Sequence, residues 1–228
     1  MNTALFQFLG ELREHNNREW FQRNKKRYDT LLQQYCDRLQ QLIDRMAAFD
    51  PDIAGLDAKN CLFRIYRDIR FSPDKTPYKT YFGAYIAPYG GRKSEYAGYY
   101  IHLEPDNAFL SGGIWRPTPP LLKKLRQDIY DNMDEFLEII EDHDFKSVFP
   151  ALEGETLKRM PAGFPADYAC EHILRHKDFA FFSAKPDAFF CTDDWIDRTV
   201  EDCRKLIPFN RFLNYTVDEV FGKTAKRL

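Results

Sequence analysis

From Lys59 to Lys79 the chain reads K-N-C-L-F-R-I-Y-R-D-I-R-F-S-P-D-K-T-P-Y-K, setting six cations, Lys59, Arg64, Arg67, Arg70, Lys75 and Lys79, against Asp68 and Asp74 alone. Arginine offers a planar two-point fork and lysine a mobile point charge, so the mixture suits a phosphate or carboxylate. In S-P-D-K-T-P-Y-K, Pro73 and Pro77 restrict the backbone, which predicts a rigid turn holding Lys75, Tyr78 and Lys79 together. Strand alternation over Leu62 to Phe71 would group Arg64, Tyr66, Asp68 and Arg70 opposite Phe63, Ile65, Arg67, Ile69 and Phe71. Arg67 interrupts that apolar face, and a buried guanidinium needs a carboxylate or a bound anion. Arg67 is therefore expected in the interior or at the floor of a cleft.

A second extended run, G-Y-Y-I-H-L-E, groups Tyr100, His102 and Glu104. If it lies beside the first, His102 approaches Asp68 or Tyr66, and Asp68 and His102 become the candidates for acid–base catalysis. A histidine bonded or solvated on a sheet is the plainer alternative. His172 and His176 are four apart, but no H-E-x-x-H or cysteine pattern joins them, so no metal site is assigned. G-G-I-W-R-P, from Gly112 to Pro117, lacks the order of a phosphate loop and reads as a bend ahead of a helix. No motif names a cofactor.

The chain as a whole supplies no field to match the local one. Its 33 Lys and Arg are balanced by 35 Asp and Glu, so binding to nucleic acid or an anionic membrane would have to be local. With 228 residues, 44% hydrophobic and 30% charged, it reads as a globular chain with no membrane span. Five scattered cysteines and an N-terminus without a basic leader and apolar run predict free thiols and a cytoplasmic location.

Positioning these residues falls to elements readable from periodicity. Thr3 is expected to cap a helix carrying Leu5, Phe6, Leu9 and Leu12, and Asn16 to open a second with a stripe of Trp20, Asn24, Tyr28, Leu31, Tyr35, Leu39, Leu42 and Met46. Asn24 is polar on that stripe, so it is expected to bond a neighbouring segment or a ligand. Strands are predicted at Leu62 to Phe71, Tyr81 to Ala87, Gly98 to Glu104 and Ala108 to Trp115, with short connections that favour an antiparallel sheet. A helix from Leu121 to Asp142, another from Ala166 to His176, a strand at Phe179 to Ala184 and helices from Thr192 onward follow. The prediction is one α+β domain: a helical hairpin over about 3–49, an antiparallel sheet over about 62–115 and a helical part over 118–228.

Three blocks go beyond such patterns: N-N-R-E-W-F-Q-R-N-K-K-R-Y at Asn16 to Tyr28, R-I-Y-R-D-I-R-F-S-P-D-K-T-P-Y-K at Arg64 to Lys79, and G-G-I-W-R-P. With L-K-R-M-P-A-G-F-P at Leu157 to Pro165 and K-D-F at Lys177 to Phe179, they resemble the domain of unknown function 2461 family of bacteria and fungi. The resemblance implies a cytoplasmic α+β protein. It carries no activity or cofactor, and marks Asn17, Trp20, Phe21, Asn24, Lys25 and Tyr28 beside the Arg64 to Lys79 set. The leading expectation is a cleft of Arg64, Arg67, Arg70, Lys75, Tyr78 and Lys79, walled by Trp20, Asn24 and Lys25, that takes an anionic small molecule, as a binding protein or an enzyme. The alternatives are a single-stranded nucleic-acid binder stacking bases on Tyr66, Tyr78, Tyr81 or Tyr85, and an interaction module whose charged motif is structural. Oligomeric state is not legible.

Overall fold

The structure, a computed structural model, describes residues 2–222. Its helices are α1 (Asn2–Glu14), α2 (Arg18–Arg23), α3 (Lys25–Met46), α4 (Ala58–Cys61), α5 (Pro119–Asp131), α6 (Met133–Glu141), α7 (His143–Val148), α8 (Glu171–Leu174), α9 (Asp187–Cys191), α10 (Trp195–Arg204) and α11 (Ile207–Phe221). Strands β1 (Phe82–Ile86), β2 (Gly98–Leu103), β3 (Ala108–Ile114), β4 (Ala151–Glu153) and β5 (Phe179–Lys185) form an antiparallel sheet in the order β1-β2-β3-β5-β4. The α+β class and the antiparallel sheet are as the sequence predicts. Two compact units divide the described chain, one of residues 2–93, 100–110 and 184–201, the other of 94–99, 111–183 and 202–222.

In the first unit, α1 buries Leu5, Phe6, Phe8, Leu9 and Leu12, and α3 buries Tyr28, Leu31, Tyr35, Leu39, Leu42 and Met46 at the expected three- and four-residue steps. The cap of the second helix differs from expectation. Asn17, rather than Asn16, accepts from the Trp20 N–H at 2.9 Å, and Asn2, not Thr3, does polar work at the start of α1, donating from within the core to the Phe190 carbonyl at 2.6 Å.

The expected single helix from Asn16 is also broken. At Asn24 the side chain donates back to the Trp20 carbonyl at 3.0 Å, competing with the backbone ladder and separating α2 from α3. Asn24 thus bonds its own preceding turn, where a neighbouring segment or ligand was expected. The break puts Phe21, not Trp20, in the core: Phe21 is fully buried and stacks on Tyr78 at 4.0 Å, while Trp20 is half-buried against Phe8 and His15.

The expected strand from Leu62 to Phe71 is a second correction. Only isolated bridges, Leu62 to Ala84 and Tyr66 to Tyr78, pair it with the following segment. Pro77 has no N–H, so its pairing with Arg67 is one-sided, the Arg67 N–H donating to the Pro77 carbonyl at 3.0 Å. Beyond it the chain leaves the sheet, and Phe71, assigned to the apolar face, is exposed.

In the second unit α11 packs on α5 and α6, and Phe145, Phe181 and Phe209 meet edge to face in its core. The helix expected over Leu121 to Asp142 breaks at Asn132, whose side chain donates to the Asp128 carbonyl at 2.9 Å. The helix expected over Ala166 to His176 shrinks to α8, preceded by turns, and at its far end 175–177 is drawn into pairing with 155–157: Leu157 N–H donates to Arg175 O at 2.7 Å and Lys177 N–H to Glu155 O at 2.8 Å. Strand β4, which the sequence reading missed, pairs with β5 in the register Leu152 to Phe181. The far end of the helical stretch expected from Thr192, residues 223–228, lies outside the described residues.

The bend expected of the G-G-I-W-R-P run falls at Trp115 and Arg116, while Gly112 to Ile114 form the end of β3. Arg116 takes a positive φ of 54° and its N–H donates to the buried Asp178 carboxylate at 2.7 Å. Gly113, at φ +115°, leaves no room for a side chain: a Cβ there would stand 2.1 Å from the Phe179 carbonyl oxygen. Gly113→Ala is expected to destabilise the protein by about 3 kcal/mol or more, from strain and overpacking together, read as a lowered urea midpoint at unchanged slope.

Candidate functional site

Two clefts flank the segment from Leu62 to Lys79, both within the first unit. Their shared wall is built by Asn16, whose carboxamide donates to the Tyr78 carbonyl at 2.9 Å and accepts the Tyr78 N–H at 3.1 Å. Phe21 stacks on the ring of the same tyrosine, and Tyr66 closes over both at 5.9 and 5.5 Å. One residue on, the Lys79 N–H donates to Ile65 O at 2.8 Å, so Lys79 is placed by backbone pairing and lines both clefts.

The first cleft, of about 610 Å³, is lined by Arg13, Arg67 and Lys79 against Asp68, Asp74 and Glu104, with Asn16, Thr76, Tyr78, Thr80 and Tyr81 between them. Its charges balance. Arg67 is 27% exposed at its side chain and donates to Asp74 and Thr76, which places it at a cleft wall with a carboxylate partner. Asp74 also accepts from the Thr76 N–H and hydroxyl at 2.9 Å each. These donors, the Thr76 N–H foremost and then Arg67, hold its pKa down at about 2.

The rest of the turn neutralises itself. Asp68 receives two bonds from the Arg70 guanidinium, at 2.9 and 2.6 Å, which hold its pKa at about 2. The Lys75 ammonium donates to the Ile69 carbonyl at 3.0 Å. Arg70 and Lys75, expected in one cleft with the other cations, line neither. Nor do Trp20, Asn24 or Lys25, the last of which pairs with Asp29.

The second cleft is a groove of about 880 Å³ between the Tyr28, Leu32 and Cys36 face of α3 and the strand-like residues Leu62 to Tyr66. Lys59, Arg64, Lys79, Arg92 and Lys93 line it, with Asp29 the one carboxylate. Among the described residues no carboxylate pairs with Lys59, Arg64, Lys79 or Lys93. Arg92 instead donates to the carbonyls of Lys59 and Asn60, both at 2.9 Å, capping the end of α4. Gly91 permits that closeness: at φ +57° a Cβ would lie 2.8 Å from the Asn60 carbonyl oxygen. Burial, reinforced by Arg64, pulls the Lys79 ammonium below its ordinary pKa, and its Nζ lies 5.3 Å from the Phe63 ring and 5.4 Å from Tyr81.

His102 does not meet Asp68 or Tyr66. It is 6% exposed, sandwiched between Phe109 and Tyr81 at 4.5 and 4.3 Å, and bonded within its own strand to Tyr100 at 2.9 Å and Glu104 at 3.1 Å. With Glu104 ionised, Nε2 carries the proton and Nδ1 accepts from the Tyr100 hydroxyl. Both ring nitrogens are thereby used, and His102 lines neither cleft. Glu104 reaches the first cleft in its place; burial pushes its pKa up, but bonds from Thr80 at 2.6 Å, Asn107 at 2.8 Å and His102 outweigh that and leave it lowered.

Sequence reasoning thus reached Arg64, Lys79, Arg67, Asp68 and Tyr78 among cleft residues, and missed Arg92 and Lys93. Their signal was the G-G-R-K turn directly after β1, with Lys59 at the head of the charged block. Among the described residues no group of three His, Cys, Asp or Glu could hold a metal ion, all five cysteines are free, and no helix is long and apolar enough to cross a membrane.

An antiparallel sheet bearing helices, with a cationic groove and a charge-balanced cleft in one unit, makes this an α+β protein with two candidate sites side by side. The sequence profile of the family described as Conserved hypothetical protein (DUF2461) matches residues 4–212, and the chain belongs to that family. Neither the curated proteins nor the solved structures contain a match to the chain.

Two outcomes follow from this geometry. Asn16→Ala leaves the Tyr78 backbone groups without partners and is expected to cost about 1–3 kcal/mol by urea titration. Burial keeps the His102 pKa below the ordinary 6.5 despite Glu104, so the unfolded chain takes up its proton first. That contribution to stability is present above 6.5 and is lost as pH falls through the folded-state value. His102→Gln should therefore flatten the decline in urea midpoint between about pH 7.5 and about pH 5.5, leaving the part due to His176, whose burial lowers its pKa likewise.

Proposed function

We propose that this protein binds a phosphate- or carboxylate-bearing small molecule in the groove of Lys59, Arg64, Lys79, Arg92 and Lys93. The observation that supports this reading is the set of four cations gathered there without a carboxylate partner. Like charges held together repel, and an anion placed among them relieves that repulsion while gaining charge-assisted hydrogen bonds. The groove's volume of about 880 Å³ is that of a small-molecule site. Tyr28, Leu32, Phe63 and Tyr66 offer an apolar and aromatic lining for the body of the ligand, and Arg64 a fork for its charged end. The five free cysteines accord with a cytosolic setting.

A second reading, a single-stranded nucleic-acid binder, is favoured by Phe63 and Tyr66, which are 37% and 45% exposed beside these cations. Such rings stack on bases while lysines follow the backbone. Binding of that kind must weaken steeply as salt rises.

Thermal melting tests the first reading. Pyrophosphate, a nucleoside monophosphate or a tricarboxylate at one hundred times its dissociation constant should add about 2.7 kcal/mol, a rise of roughly 5–10 °C for a chain of this size. Arg64→Ala with Lys93→Ala should reduce that rise, and Lys75→Ala, outside the groove, should leave it intact. Equal responses from wild type and the double variant would count against the groove. A salt-sensitive shift with oligonucleotides alone would transfer the site to the second reading.

A further inference from the structure

We propose that Lys79 is a covalent amine, forming an imine with the carbonyl group of a phosphate- or carboxylate-bearing aldehyde or ketone held in the cationic groove. The inference rests on the anion-binding reading above and names the ligand class for it. Three observations converge on this lysine. Its ammonium has no carboxylate, hydroxyl or carbonyl acceptor among the described residues, whereas Lys25 and Lys75 each have one. It stands between two aromatic rings, Phe63 at 5.3 Å and Tyr81 at 5.4 Å, which crowd it on two sides and leave it half-buried. Arg64 is its charged neighbour in the groove, and a second cation disfavours a first. Burial and a like charge both disfavour the ammonium and so favour the free amine, whose lone pair is nucleophilic.

Placement supplies the rest. In the groove, Lys59, Arg64 and Lys93 can hold the ligand's anionic end, and Phe63 and Tyr66 its body. Lys79 also lines the first cleft, whose lining includes Tyr81 and Glu104. The step balances without an oxidant or reductant. The Nζ lone pair attacks the carbonyl carbon, the C=O electron pair moves to oxygen, and a proton passes from nitrogen to that oxygen to give a carbinolamine. The C–O bond then breaks, the hydroxyl leaves as water with the second nitrogen proton, and the imine C=N bond remains.

Pyridoxal 5′-phosphate is the probe, since it joins a phosphate, a planar ring and an aldehyde. The full-length protein is incubated with it at neutral pH, reduced with borohydride and mapped by peptide mass, with melting recorded in parallel. Because burial and the neighbouring Arg64 disfavour the Lys79 ammonium, Lys79 should carry the largest share of the adduct, ahead of Lys59 and Lys93. Pyrophosphate should suppress it, and pyridoxal without phosphate should label poorly. Lys79→Arg, which keeps the positive charge, should remove the main adduct and leave only the minor labelling of Lys59 and Lys93, and its own melting curve shows whether it is folded. A raised melting midpoint with the adduct spread evenly over the lysines overturns the covalent role and leaves anion binding standing. No adduct at Lys79 and no shift with either pyridoxal phosphate or pyrophosphate overturns both.

Discussion

The paired hydrogen bonds between the Asn16 carboxamide and the Tyr78 backbone are the constraint on which both clefts depend. A carboxamide presents a donor and an acceptor side by side, as a strand edge does, so Asn16 serves as a one-residue strand against a segment that Pro77 makes a poor sheet partner. It ties the turn between α1 and α2 to the end of the charged motif. Phe21 then covers Tyr78, Tyr66 bridges across, and the next residue, Lys79, enters the wall between the clefts with its direction already set. No charged group takes part in this arrangement, so the cations can remain unpaired while the backbone that carries them is held.

Charge count along the sequence and charge in space diverge here. The motif's densest stretch, from Arg67 to Thr76, neutralises itself: Arg67 with Asp74, Arg70 with Asp68, Lys75 with a carbonyl. Two-residue spacing in an extended chain puts Asp68 and Arg70 on one side, and that pair was legible as a shared face though not as a closed one. The uncompensated charge lies at the motif's ends, Lys59, Arg64 and Lys79, and is joined by Arg92 and Lys93 from a turn that no local rule connects to it. The association becomes visible only when Gly91 allows that turn to press on the end of α4.

Strands β1, β2, β3 and β5 and the apolar faces of α1, α3 and α5 were legible because alternation and helical stripes record burial directly. The helix breaks were not. Asn24 and Asn132 sit within long periodic stretches and end them by the same device, a side-chain amide donating to the carbonyl four residues back. Asparagine within a stripe reads as a polar anomaly or as a cap, and only its rotamer decides between them. The segment from Leu62 failed as a strand for a related reason: Ile65 is buried as alternation asks, but Phe63 and Phe71 of the same face are exposed, and pairing depends on the partner's donors, with Pro77 in the partner. His102 was correctly grouped with Tyr100 and Glu104 by alternation, while the rings that enclose it came from β3 and from Tyr81, beyond any pattern in its own strand.

The joint at Asn24 turns the short helix α2 into a spacer. On one side Trp20 rests on Phe8 and His15 of the first helical hairpin arm; on the other Phe21 rests on Tyr66 and Tyr78. The arm and the charged segment are therefore both seated on α2, through neighbouring aromatic rings about 100° apart around its axis. Aromatic rings change shape very little, so the spacing of the wall inherits their stiffness. The tolerance of the two clefts is in this sense set by a pair of adjacent residues that touch neither ligand space.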